Sequence, residues 1–263
     1  MSDRPIEVVG HGGAGADFPG NSLPSFERAL QIGVDRVECD LRQARDGTIV
    51  LVHDEAVVTP GGTRVEVATL STAELARVMP DLVTLDDLVE MVQSRAPLML
   101  DVKRPGYEAE VAVAIRRHRL ADESSISTTY AITLRRLHAA FPAMRIGLSI
   151  RDWSRAVPSA AGHRIARGSL HQLMPLGLPR ALSLLGASET MLHHHLVTKH
   201  LVDGVHRVGK QVNAWTVDEE EEMQRMVECR VDGIISNRPD HVRHVIRPPG
   251  AAGDEQSPAL RPG

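Results

Sequence analysis

Three carboxylates and two histidines stand at comparable places in this chain: Glu38 and Asp40, then Asp101, with His11 and His53. Each closes, or lies just inside, a short apolar run. Glu38 and Asp40 are two residues apart, so on a strand they share a face while Cys39 points to the other. Convergent carboxylates offer hard oxygen ligands to a cation such as Mg²⁺ or Ca²⁺, which keeps open positions for phosphate oxygens and water. An imidazole near its ordinary pKa can give or take a proton around neutral pH. The chemistry these residue types suit is therefore acid–base work beside an oxygen-bound divalent cation. Lys103 falls on the same face as Asp101 and can neutralise a phosphate or sulfate oxygen, and Trp215 can floor a pocket. Each has a plainer reading. Carboxylates at strand ends are commonly just solvated, histidines pack on neighbours, lysines sit on surfaces, and a tryptophan fills a core. Repetition of the same placement is what favours a site.

The elements that would position these residues alternate between two periods. Apolar, β-branched runs at Ile6–Gly10, Arg36–Leu41, Pro97–Val102, Ser124–Thr129, Met144–Ser149, Thr190–His194, Gln211–Val217 and Val231–Ser236 read as strands. Thr48–His53 reads as a further strand after the turn signal Asp46-Gly47. Between them lie helical spacings: Leu23 to Gly33, with Asn21 or Ser22 as cap; Thr84–Ser94; Tyr107–Leu120; Ile132–Phe141; Leu196–Val208; and Glu219–Cys229, with Asp218 as its cap. Residues 55–70 read as a loop excursion. Residues 151–187 are ambiguous, as one or two helices with a short strand at His163–Ala166. Strand and helix alternating about eight times imply parallel β/α units and an α/β (β/α)₈ TIM barrel, with a doubly wound sheet as runner-up. In a barrel the catalytic groups sit at the C-terminal ends of the strands. His11 ends the first, Glu38 and Asp40 the second, Asp101 and Lys103 the third, and Trp215 lies near the end of the seventh. One domain is expected over 1–246, with a Pro- and Gly-rich disordered tail over 247–263.

Composition narrows the function class. A net charge of −4 and 3% aromatic content give no basic patch and few stacking platforms, so a nucleic-acid partner is not expected. No apolar run reaches the ~18 residues of a membrane span, and the first residues show no signal-peptide core, so stable membrane anchoring is not expected. Two cysteines give no disulfide framework, which suits a cytoplasmic protein. Cys39 should face the helix layer and not act as a nucleophile. His193, His194 and His195 invite a zinc reading, but on a strand the middle one faces away. Gly12-Gly13-Ala14-Gly15 resembles a phosphate-cradling loop without the full GxGxxG spacing.

Taken in order, the motifs resemble the glycerophosphodiester phosphodiesterase family. The matching residues are His11-Gly12-Gly13, Gly20-Asn21-Ser22, Glu38-Cys39-Asp40, Asp46-Gly47, His53-Asp54, Asp101-Val102-Lys103, Trp215-Thr216-Val217 and Gly233 through Pro239. The resemblance implies a barrel, a divalent ion on Glu38, Asp40 and Asp101, and His11 and His53 as the acid–base pair acting on a small phosphodiester. Three positions depart from the family pattern. Gly12 replaces an arginine, Gly20 a glutamate, and Asp101 a glutamate. An arginine binds phosphate through a planar two-pronged contact that lysine does not reproduce. An altered substrate, a compensating group such as Lys103 or Arg42, or weak activity on simple glycerophosphodiesters is expected. Attack by water would give a phosphomonoester. Attack by a substrate hydroxyl would give a cyclic phosphate, as in a phospholipase D-like lyase. A non-catalytic phosphoester-binding barrel is the reading from another class.

Overall fold

The computed structural model describes residues 5–93 and 95–246. The strands are β1 (Glu7–Gly10), β2 (Arg36–Gln43), β3 (Ile49–Leu51), β4 (Ala56–Val58), β5 (Arg64–Glu66), β6 (Leu98–Val102), β7 (Ser125–Thr128), β8 (Arg145–Ile150), β9 (Glu189–His193), β10 (Gln211–Trp215) and β11 (Gly233–Ser236), all but β4 and β5 falling on expected runs. Eight of these, β1, β2 and β6 to β11, pair in parallel around a closed ring in which β1 bonds both β2 and β11. Helices α1 (Leu23–Ile32), α2 (Thr72–Val78), α3 (Leu85–Val92), α4 (Glu108–Arg117), α5 (Ala131–Ala140), α6 (Ala160–Leu185), α7 (Lys199–His206), α8 (Glu220–Cys229) and α9 (Pro239–Ile246) surround it. This is the (β/α)₈ barrel that the alternation of periods predicts. The strand at 49–51 is not a barrel stave. It folds back antiparallel on the far end of β2, pairing Leu41 with Leu51 and Gln43 with Ile49. That hairpin lifts His53 over the barrel mouth.

Side chains alternate across each stave, and the two faces differ in chemistry. Outward residues such as Val8, Val37, Cys39, Leu100, Ile126, Ile146, Val212 and Ile234 are buried against the helices in one large apolar layer. Inward residues form tiers. At the N-terminal end, Arg36 is 2% exposed and donates to Ser125, Glu189 and Asn213, which come from three other staves. Its guanidinium also pairs with Glu7, and Arg145 bridges Glu7 and Glu189. Above this polar plug lies a dry tier of Val9, Met99, Met191 and Ile235. Gly147 belongs to the same tier for a steric reason: a Cβ there would lie 2.5 Å from the Met191 sulfur. The plug and the dry tier close the barrel floor, so the site can open only upward.

Three local expectations are corrected. No strand forms at His163–Ala166. After a 3₁₀ turn at Trp153–Ala156, one helix runs from Ala160 to Leu185 through Pro175 and Pro179, with Ser159 capping its start. Proline disfavours a helix interior, but Leu178 and Leu182 are buried in the outer core, so tertiary packing overrides local preference. The 55–70 segment is not plain loop; it contains the β4–β5 hairpin and a 3₁₀ turn at Val67–Thr69. Helix α2 follows a capping box, Ser71 with Glu74, which is a readable sequence signal. Asp218 does not cap α8, where Glu219 holds that place without a side-chain bond. The tail expected over 247–263 lies outside the described residues. Among the described residues, no helix is long and apolar enough to cross a membrane.

Candidate active site

A cleft of about 390 Å³ opens at the C-terminal end of the staves. Its lining includes His11, Glu38, His53, Asp101, Lys103 and Trp215, six of the seven residues expected from sequence. The seventh, Asp40, is 2% exposed and joins them from below: oxygen atoms of Glu38, Asp40 and Asp101 all lie within 4.8 Å of one another. Asp40 and Asp101 are register partners across β2 and β6, which explains the convergence. The donor set is all carboxylate oxygen, on rigid staves, and fits a hard divalent cation.

Each carboxylate is held by a particular neighbour. The Gly12 amide donates to Glu38 Oε2 at 2.8 Å. Asn21 Nδ2 donates to Asp40 Oδ2 at 2.6 Å while its Oδ1 accepts from the Asp40 amide at 3.0 Å. Asn21 has φ of 60°, a left-handed backbone that asparagine tolerates. Ser22, not Asn21, caps α1. Ser127 Oγ donates to Asp101 Oδ1 at 2.9 Å. Lys103 Nζ lies between Asp40 and Asp101 and pairs with both. Burial, then the Asp40 charge, pushes the Glu38 carboxyl well above the ordinary range. Burial also acts to raise Asp40, but the Lys103 ammonium outweighs it and holds Asp40 low. Burial would lower Lys103, yet the charges of Asp101, Asp40 and Glu38 keep its ammonium firmly protonated.

The two histidines are oriented differently. His11 Nδ1 lies 2.9 Å from Asn237 Oδ1. Asn237 Nδ2 donates to Asp218 Oδ2 at 2.8 Å, and the Asn237 amide donates to Asp218 Oδ1. A carboxylate only accepts, so the Asn237 amide oxygen must face His11. His11 then carries its proton on Nδ1 and leaves Nε2 with a lone pair. His53 Nδ1 meets Asp54 Oδ1 at 2.9 Å, on a side chain 60% exposed. Arg42 donates through Nε and Nη2 to the His53 carbonyl oxygen. It therefore braces the His53 segment and does not line the cleft, which corrects the expectation that it stands in for the arginine absent at Gly12. At Gly12 itself φ is +55°, and a Cβ would lie 3.0 Å from the Asn21 amide nitrogen, so a side chain there would be strained.

The far wall of the cleft comes from β8, β9 and the residues after them: Ser149, Arg151, Asp152 and His193, with Thr129 from beyond β7. Ser127, Arg151 and Asp152 line the cleft without belonging to any of the motifs. A period-two run of polar residues at 125, 127 and 129 on a stave was a usable signal for the first. Nothing comparable marked the others, because they lie in the stretch read as ambiguous. Asp152 is turned from the solvent. Its Oδ1 accepts from the Ser154 amide and hydroxyl, and its Oδ2 lies near Arg167 and His195. Trp215 packs edge-on against His193, ring centres 5.5 Å apart. The three consecutive histidines do not alternate as on a strand. A 3₁₀ turn at His194–Leu196 gathers their rings, so that ligand atoms of all three lie within 4.8 Å. His194 Nδ1 is engaged by Glu222 at 3.0 Å. Cys39 lies in the outer core facing the helices, as its register requires, and burial raises its thiol pKa well above the ordinary range.

Comparisons with known proteins give the family. The model of the "Glycerophosphoryl diester phosphodiesterase family" matches residues 11–241. The chain therefore belongs to that family of phosphoric diester hydrolases. It is 24% identical over 265 residues to a glycerophosphodiester phosphodiesterase of Caldanaerobacter subterraneus, covering 92% of this chain and 98% of the relative. It is 30% identical over 271 residues to the Mycobacterium tuberculosis protein named "Probable glycerophosphodiester phosphodiesterase 1", covering 90% of each. Among solved structures, a phosphodiesterase of Oleispira antarctica in complex with sn-glycerol-3-phosphate matches with a TM-score of 0.72 at 22% identity, covering 92% of this chain and 97% of that one.

Proposed function

We propose that this chain hydrolyses a small phosphodiester of glycerol 3-phosphate, with Mg²⁺ or Ca²⁺ held by Glu38, Asp40 and Asp101 and with His11 and His53 as the acid–base pair. The observation that carries this reading is the convergence of those three carboxylates in the cleft that His11 and His53 line. The bound sn-glycerol-3-phosphate of the Oleispira relative supports the substrate class. A divalent cation bound there would set positive charge against the phosphoryl oxygens.

The residues then divide the proton work. His11, with its proton fixed on Nδ1 by Asn237, offers the Nε2 lone pair to a water molecule. The water oxygen attacks phosphorus, and its proton passes to His11 Nε2. His53, oriented through Nδ1 by Asp54, gives a proton to the leaving alcohol oxygen as the phosphorus–oxygen bond breaks. Lys103 adds charge beside the phosphate and spaces Asp40 from Asp101. Trp215 forms one side of the floor. We also propose residues 1–246 as one catalytic unit, and a reducing, cytoplasmic setting on the strength of its buried free cysteines, Cys39 and Cys229.

The test is turnover of glycerophosphodiesters with Mg²⁺ or Ca²⁺ present, followed by phosphorus NMR. A phosphomonoester is expected, and His11→Ala and His53→Ala should each lower kcat by about 10²-fold or more. A cyclic phosphate product would replace water with a substrate hydroxyl as nucleophile. Near-full activity in either variant would remove that histidine from the mechanism.

A further inference from the structure

Charge in the cleft is unevenly satisfied. Lys103 is paired with Asp40 and Asp101. Asp152 is taken up by Ser154 and Arg167. Arg151 lines the same cleft, is exposed, and has no ion pair among the described residues. Its place along the strand direction sets it further out than Asp101. Asp101 is register partner of Ser127, and Ser127 of Gly147. Arg151 is four residues beyond Gly147, about 13 Å further along the strand direction at ~3.3 Å per residue. With a phosphate at Asp101, the Arg151 backbone would stand further out along the same cleft, on the wall that Ser149 and His193 also line. What reaches it is the substituent that projects outward past the phosphate.

We propose that Arg151 selects substrates by that outer substituent, favouring one that carries a second anionic group, a carboxylate or phosphate, over one that carries a quaternary ammonium. A guanidinium presents donors in a planar fork that matches both anions. A cationic head would meet like charge, and the nearby carboxylate that could have received it, Asp152, is buried and occupied. The same logic gives the cleft a place for a cation despite Gly12: the charge stands at the rim, where it reads the substituent, and not beside His11.

This inference rests on the phosphodiesterase reading, and the experiment separates the two. Glycerol 3-phosphate is esterified to choline, to ethylene glycol and to ethylene glycol monophosphate, and kcat/KM is measured for each with wild type, Arg151→Gln and Arg151→Glu. Wild type should favour the anionic diester over the choline diester by about tenfold or more, the scale of one charged contact. Arg151→Gln should flatten that ratio and Arg151→Glu invert it, with the neutral diester changing less than either charged one. A wild-type preference for the choline diester, or an unchanged ratio in Arg151→Glu, overturns the proposal. If wild type turns over none of the three with either ion, the hydrolase reading fails instead. Titration calorimetry with the same diesters then decides the selectivity, since Arg151→Glu must invert the binding order or the proposal is wrong.

Discussion

His11 and His53 are held by unlike partners, and the difference sets what each can do. Asn237, itself locked by Asp218, fixes the His11 tautomer. Asn237→Ala should lower kcat by roughly 10–100-fold, the range seen when an orienting partner is lost, with little change in KM. Steady-state kinetics with a pH profile checks it, and a pure stability defect would leave the profile unmoved. Asp101 shares its oxygens with Ser127 and Lys103. Asp101→Asn should weaken divalent-ion binding by at least about tenfold, read by titration calorimetry on the metal alone. Unaltered affinity would remove Asp101 from the ligand set.

The hairpin between β2 and β3 is the element that carries His53 to the mouth, and Arg42 pins its end through the His53 carbonyl. Arg42→Ala should let residues 52–56 exchange amide hydrogens faster and lower kcat several-fold while leaving the fold intact. Hydrogen exchange and kinetics on one sample test this, and unchanged exchange would mean that the strand pairing alone holds the segment. This arrangement was only half legible in sequence. Thr48–His53 is β-branched, and so was read as a strand. That it turns back on β2 depends on Asp46-Gly47 and on Leu41 meeting Leu51, a pairing that periodicity does not specify. Residues 151–187 were illegible for the opposite reason: Pro175, Pro179 and scattered glycines speak against one helix, and only packing of Leu178 and Leu182 on the barrel restores it.

The barrel as a whole stands on its buried polar floor. Glu189 is fully buried, and Arg36 and Arg145 both pair with it. Burial acts to raise its carboxyl pKa, but the Arg36 and Arg145 charges outweigh it and hold the pKa below its ordinary 4.5. A carboxyl with a folded pKa below its unfolded one contributes stability that is complete above the unfolded value and lost as pH falls through the folded value. Stability should therefore be steady near neutral pH and decline below about 4.5. Glu189→Gln leaves Arg36 short of a counter-charge and should cost about 3–5 kcal/mol in urea unfolding at neutral pH, with part of the acid dependence gone. An unchanged midpoint would show that water serves Arg36 equally well.

Sequence alone determined the period of the elements, hence the barrel, and the types of group at the stave ends. Those follow from local rules: two residues per repeat on a strand, and chemistry at C-terminal ends. Six of the seven expected site residues line the cleft and the seventh underlies it, because their strands were readable. Contacts across the ring were decided only by tertiary structure, since they join residues far apart in the chain. Asn21 clamps Asp40, Asp218 holds Asn237 over His11, and Arg42 turns away to brace His53. The same closure brings Arg151, two residues past the expected strand Met144–Ser149, into the lining of the cleft that holds the carboxylates.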